Sequence, residues 1–326
     1  MRAIVCSGYG GPRDLTVGEA PEPVAGPGQV VVEVHAAGVN FPDVLMTQGL
    51  YQTKPPLPFV PGVEAAGIIV ATGDGVAGLR TGQRVVAGVS GAFAERAVTR
   101  ASMVVELPAA IDFATAASMM MTYGTAYHAL VDRAELMPGE TLLVSGAGGG
   151  VGIASVDIGK ALGARVIATA SSEAKRAAAL KAGAAVALDA NAQDLVERIK
   201  AESDGGFDVA IDNVGGSQFE AALRSAKWRA RLLVVGFASG TIPQIPANRI
   251  LLKELDILGV YWGDWASRDP EPNRANFAAI FEMVANGKLH PSVDATYPFE
   301  KAPQAVLDLM ERRLVGKGVV VVRERI

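Results

Sequence analysis

The sequence predicts a two-domain α/β chain, one domain a β-barrel and the other a doubly wound sheet of six parallel strands. Three observations carry this. Residues 1–122 string together short β-like runs punctuated by Gly and Pro, residues 123–262 switch to a regular strand–helix rhythm, and the first turn of that rhythm holds the glycine-rich run "SGAGGGVG". At 326 residues the chain is long enough to bury two cores.

The β-like runs of the first region are "AIVCS", "QVVVEVHAAGV", "EAAGIIVATG", "QRVVAGV" and "AFAERAVT", separated by turns such as "AGPG", "TGDG" and "RTGQR". Their alternation is partial, as in strands with few exposed faces. One helix is predicted over 112–130, "DFATAASMMMTYGTAYHAL", with Asp112 capping an Ala-rich stretch.

In the second region the strands are "TLLVS", "RVIAT", "AVALD", "FDVAID", "RLLVVG" and "LDILGV". After the glycine run, Val151, Ala154, Ile158, Ala161 and Leu162 share one helical face. Strands joined by such helices complete a doubly wound parallel sheet. The polar segment "YWGDWASRDPEPNRANF" is predicted as loop, then helix from about Glu271. Residues 263–326 return to the first domain, where the tail "GKGVVVVRERI" adds a barrel strand.

The glycine run follows a strand and opens a helix, in the register Ala147-x-Gly149-x-x-Gly152 with Gly150 and Val151 between. Small residues there let the backbone approach a pyrophosphate, and the helix N-terminus favours its charge. A glycine loop that merely turns is the plainer alternative; the six-strand context favours a dinucleotide. At the end of the next strand, "RVIATASSEAK" offers no carboxylate before Glu173. A carboxylate there would accept from a ribose 2′-hydroxyl and repel a 2′-phosphate. Ser171 and Ser172 supply donors instead and Lys175 a cation, groups that suit a dianionic phosphate. NADPH is therefore predicted over NADH, against the simpler reading of Lys175 as a solvated surface lysine.

Composition narrows the classes. Cys6 is the sole cysteine, so an internal disulfide and a Cys-rich zinc site are both excluded. His35, His128 and His290 are scattered, with no cysteine near any of them. A net charge of −4 argues against a nucleic-acid surface. No apolar run reaches the ~18 residues of a membrane span, and the chain opens on a strand-like run, so a soluble cytoplasmic protein is expected.

The stretches "GVNFPDVLMTQGLY" (38–51), "LPFVPGVEAAGIIVATGDGV" (57–76), "GAGGGVG" (146–152), "DNVGG" (212–216), "VVGFASG" (234–240) and "GKGVVVV" (316–322) resemble, nearly end to end, the zinc-independent quinone oxidoreductases of the medium-chain dehydrogenase/reductase superfamily. The resemblance implies a GroES-like barrel catalytic domain built from both chain ends and a Rossmann domain between them. Where zinc relatives carry a cysteine and a histidine, this chain has Asn40 and Val63, which implies a zinc-free site. It further implies that Asn40 and Tyr51 border nicotinamide and acceptor, with Tyr51 bonding a quinone oxygen, and that Thr125 meets the nicotinamide end. Asn213 and the run Phe237, Ala238, Ser239 follow the fourth and fifth strands at carboxyl ends facing a cofactor crevice. Lys317 is read as reaching the 2′-phosphate, with a surface role equally open; Asp43 and Glu64 are read as mainly structural.

Two positions depart from the family pattern: Thr47 stands for a frequent arginine, and Ala190 for a tyrosine common in NADPH-binding relatives. Tyr261, Trp262 and Trp265 line either the acceptor pocket or a subunit contact. The expected activity is NADPH-dependent reduction of a quinone by direct hydride transfer. An enoyl or alkenal reductase and a non-catalytic NADPH-binding protein remain alternatives. The apolar edge strand "LDILGV" predicts a homodimer with a sheet continuous across the two-fold axis.

Overall fold

In the computed structural model, which describes residues 1–323, β-branched and small apolar residues build the first strands. They are β1 (Arg2–Cys6), β2 (Leu15–Glu19), β3 (Gln29–Gly38), β4 (Glu64–Thr72), β5 (Arg84–Gly88), β6 (Arg96–Arg100) and β7 (Val104–Glu106), with helix α1 (Phe41–Thr47) leaving the end of β3. β3 carries the organisation. Its first half pairs with β6, and register shifts against β4 at Val31/Val32 and Val34/Ala36 bend it. Ile4, Val30, Val32, Val34, Ile69, Val85 and Phe93 fill the core.

The helix predicted over 112–130 is divided into α2 (Phe113–Ala117) and α3 (Met120–Tyr127), followed by a π turn over His128–Arg133. Asp112 does cap: its Oδ1 accepts from the Thr115 N–H at 2.9 Å. The break falls at Ser118, whose Oγ donates to the Thr115 carbonyl at 2.7 Å, while the Met119 N–H bonds back three residues to Ala116. A side chain competing for a helical carbonyl and a tightened turn end the first segment.

The strand–helix region runs β8 (Thr141–Ser145), α4 (Gly150–Ala161), β9 (Arg165–Ala170), α5 (Glu173–Ala182), β10 (Val186–Asp189), α6 (Leu195–Glu202), β11 (Phe207–Asp212), α7 (Gly216–Ser225), β12 (Ala226–Val234), α8 (Ala247–Lys253), β13 (Asp256–Gly259) and α9 (Trp262–Arg268). The six strands lie in the order β10-β9-β8-β11-β12-β13, all parallel. This is the doubly wound order, with β13 at the outer edge. Leu143, Ile167, Phe207, Phe219 and Leu232 lie in its core.

The segment predicted as loop before Glu271 is helical. Trp262 and Ala266, four apart, are both buried, so α9 has an apolar stripe. The next helix, α10 (Pro270–Ala285), starts on Pro270, where a missing N–H costs nothing. The proline thus marks a helix start and not a loop.

The chain ends with β14 (Ala295–Pro298), α11 (Ala302–Met310) and β15 (Gly318–Val321). β15 pairs antiparallel with β3 and parallel with β14, so the tail joins a seven-stranded sheet that also contains β4, β5, β6 and β7. The last three residues of the tail run lie outside the described residues. Two units separate on contacts: Met1–Met121 with Ala266–Phe277 and the chain from Pro291, and Thr122–Trp265 with Ala278–His290. Among the described residues, no helix is long and apolar enough to cross a membrane.

Candidate functional site

In the strand–helix unit the loop after β8 is shaped for close backbone approach. Gly146 has φ +68°, and a Cβ on Gly152 would fall 2.3 Å from the Gly146 carbonyl oxygen. Only glycine lets α4 start against the loop this tightly. Ala147 is buried, and its N–H donates to the Thr169 carbonyl at 3.0 Å, tying the loop to β9. Gly149 is the N-cap, so the amides of Gly150, Val151 and Gly152 head the helix. First-turn amides lack carbonyl partners within their own helix, which makes this cradle fit a pyrophosphate.

The end of β9 carries the residues singled out for a 2′-phosphate. Ser172 caps α5, its Oγ accepting from the Lys175 N–H at 3.4 Å, and both Ser171 and Ser172 are exposed. The Lys175 stem folds against the glycine loop: a Cβ on Gly148 would meet Lys175 Cβ at 2.4 Å. Sequence reasoning missed Arg176, whose Nη1 lies 3.6 Å from Asp189 at the end of β10. Its signal was its place beside Lys175, but its direction depended on β10 pairing with β9. At Ala190 the carbonyl accepts from Gln218, and Gln218 Oε1 accepts from Thr169 at 3.0 Å.

The loops after β11 and β12 converge on the same carboxyl edge of the sheet. Buried Asp212 accepts from the Gly215 N–H at 2.8 Å and fixes the β11 loop; burial pushes its carboxyl up, against the pull of these loop amides. Asn213 Nδ2 donates to the Ser145 carbonyl at 3.1 Å, joining that loop to β8. Amides of Ala238 and Ser239 donate to the carbonyls of Asn213 and Val214 at 3.2 and 2.9 Å, and Phe237 is about one-third exposed at 36%. Thr125 is buried on α3.

The barrel unit holds a second constellation. Asn40 precedes α1, and its backbone N–H donates to Asp43 Oδ2 at 2.8 Å. The Asn40 side chain is clamped: Nδ2 donates to Glu64 Oε2 at 2.8 Å and to the Gly38 carbonyl at 3.2 Å, while Oδ1 accepts from Lys317 Nζ at 2.5 Å. Lys317 also donates to Glu64 Oε2 at 2.7 Å, and Glu64 Oε1 accepts from the Met121 N–H at 3.0 Å. Asn40, Asp43, Glu64 and Lys317 are all buried. Burial pushes the Asp43 carboxyl up to about 7, partly offset by the Asn40 amide and the Lys317 charge. Lys317, expected at a 2′-phosphate or on the surface, is instead only 5% exposed, with its amine donating to Asn40 and Glu64.

Thr47 is also buried, its hydroxyl donating to the Val44 carbonyl at 2.7 Å within α1. Tyr51 lies half-buried in the bend after α1. Of the three late aromatics, Trp262 is buried, Trp265 stacks on His128 with ring centroids 3.9 Å apart, and Tyr261 is exposed. His128 in turn bonds Asp132 at 2.8 Å, and the His290 backbone N–H donates to Asp157 at 2.8 Å. Among the described residues, no three His, Cys, Asp or Glu side chains group to hold a metal ion.

A barrel fed by both chain ends, with a doubly wound sheet carrying a glycine-loop site, is the architecture of a nucleotide-linked oxidoreductase. Residues 26–109 match the profile described as alcohol dehydrogenase GroES-like domain, and residues 150–287 that described as zinc-binding dehydrogenase. The chain is 39% identical to quinone oxidoreductase-like protein 2 of Mus musculus, over 97% of this chain and 91% of that one. It is 35% identical to the quinone oxidoreductase of Rattus norvegicus, over 95% and 94%. The crystal structure of Escherichia coli quinone oxidoreductase complexed with NADPH superposes with a TM-score of 0.91 at 30% identity, covering 99% of this chain and 100% of that one. The chain belongs to the quinone oxidoreductase family of the medium-chain dehydrogenase/reductase superfamily.

Proposed function

We propose that this protein reduces quinones with NADPH, by direct hydride transfer and without zinc. The observation that carries the reading is the end of β9: two serines and a lysine folded onto the glycine loop occupy the place of a ribose-binding carboxylate. The E. coli relative solved with NADPH supports the same cofactor. When bound, NADPH supplies the hydride. The chain's part is to hold and orient. Amides heading α4 bind pyrophosphate; Ser171, Ser172 and Lys175 take the 2′-phosphate; the loops at Asn213 and Phe237–Ser239 complete the cofactor wall, with Thr125 toward the nicotinamide.

In the barrel unit Tyr51 offers a hydroxyl to a quinone oxygen. Asn40 contributes a fixed wall, because both of its amide hydrogens are already committed. An electron-poor quinone accepts hydride without a Lewis acid, so orientation supplies most of the rate. The absence of the cysteine and histidine that zinc relatives use, with Asn40 and Val63 in their places, supports a zinc-free site. A homodimer formed through the outer edge of β13 belongs to the same proposal, supported by exposed Leu251 and Leu252 on adjoining α8.

The test is NADPH oxidation by chelator-treated protein, with matched NADH controls, against quinones, enones and enoyl thioesters. Turnover with quinones and preference for NADPH is the expected result. Turnover confined to enones or thioesters makes the protein a C=C reductase. Tight NADPH binding with no turnover makes it a binding protein.

A further inference from the structure

The buried cluster in the barrel unit does more than neutralise charge. An asparagine amide has two faces of opposite hydrogen-bonding sense, and a buried one is oriented by its partners. Here Glu64 can only accept from Asn40 and Lys317 can only donate to it. The carboxylate therefore dictates where Nδ2 points, and the ammonium dictates where Oδ1 points. The second Nδ2 hydrogen goes to the Gly38 carbonyl at 3.2 Å. No N–H of this side chain is left for a ligand.

The clamp is itself anchored. The Lys317 backbone N–H donates to Asp294 Oδ2 at 2.8 Å, and Glu64 is held by the Met121 amide on its other oxygen. A Cβ on Gly38 would lie 2.3 Å from Glu64 Oε2 and 2.1 Å from the Ala117 carbonyl oxygen, so the carboxylate sits in a space that only glycine leaves open. Three segments distant in sequence thus meet at one amide.

We propose that Lys317 and Glu64 are positioning residues: an ion-paired clamp that fixes the Asn40 amide and the N-terminal end of α1, and not part of the 2′-phosphate site. The inference rests on the proposed reductase reading for its kinetic consequence, but the clamp itself is independent of that reading.

Three variants test it: Lys317→Met, Glu64→Gln and the pair together. Removing one member strands a buried charge, while removing both does not, so the double variant keeps the test open if a single variant folds poorly. Lys317→Met is expected to lower kcat about 10- to 100-fold with NADPH and NADH alike, through misplacement of the site wall. The quinone KM and both cofactor Kd values are expected within about twofold of wild type. In the double variant Tm should recover while kcat stays low, because Oδ1 still lacks its donor.

A selective loss of NADPH affinity in Lys317→Met would make it a phosphate ligand and overturn the proposal. So would kcat returning in step with Tm in the double variant, which is the mark of a purely structural pair. If wild type turns over no acceptor, the reductase reading fails and the clamp is judged on the Asn40 side-chain amide, labelled with ¹⁵N-asparagine and assigned through Asn40→Ala. Its hydrogens should exchange slowly in wild type and much faster in Lys317→Met; unchanged exchange overturns the clamp.

Discussion

Replacing Lys175 with methionine removes one charge from the first turn of α5, just past the end of β9. The variant keeps a stem of similar length against Gly148, where the native side chain packs. It also keeps the cap of α5, because the bond to Ser172 Oγ comes from the backbone N–H. On the proposed reading the variant loses a charge-assisted contact, worth about 1.5–3 kcal/mol to a phosphate. That corresponds to a Kd for NADPH weakened about 10- to 100-fold. NADH has no 2′-phosphate, so its Kd should move less than twofold. Arg176 remains nearby, so some preference for NADPH is expected to survive. The assay is fluorescence titration of both cofactors, repeated with adenosine 2′,5′-bisphosphate against 5′-AMP to isolate the phosphate. Equal weakening for both cofactors would refute the reasoning, because the ammonium would then not distinguish them.

Three further expectations follow from other parts of the molecule. Gly152→Ala forces a methyl to 2.3 Å from the Gly146 oxygen; an overpacking cost of about 1–3 kcal/mol should lower Tm by several degrees and abolish tight NADPH binding, read by calorimetry and titration. Asp43 is pushed from 3.8 up to about 7, so between these values the native state holds a proton the unfolded chain has released. Stability from this group therefore falls as pH rises toward 7 and is flat above it: wild type should lose about 3 kcal/mol relative to Asp43→Asn between pH 5 and 8 in urea unfolding, and parallel pH profiles would refute this. Sedimentation equilibrium at micromolar concentration should give the mass of two chains, and a monomer would remove the role assigned to the β13 edge.

The glycine loop, the six strands with the helices between them and the residues at the strand ends were legible in the sequence because their determinants are local. Hydrophobic periodicity marks each strand and helix, and a glycine that admits no Cβ announces itself where it stands. The capping by Asp112 was legible for the same reason. The helix at Trp262–Arg268 was not, since it turns on which side chains the fold buries, and neither was the split at Ser118, since a serine hydroxyl bonds back to a helical carbonyl in some helices and not in others. The clearest case is the barrel cluster. Asn40, Glu64 and Lys317 each stood out singly, but Lys317 lies 277 residues from Asn40 and 253 from Glu64. A lysine in a glycine turn reads as exposed from its neighbours alone. Only the pairing of β15 with β3 carries it inside, where the loss of water compels it to find a carboxylate and an amide oxygen.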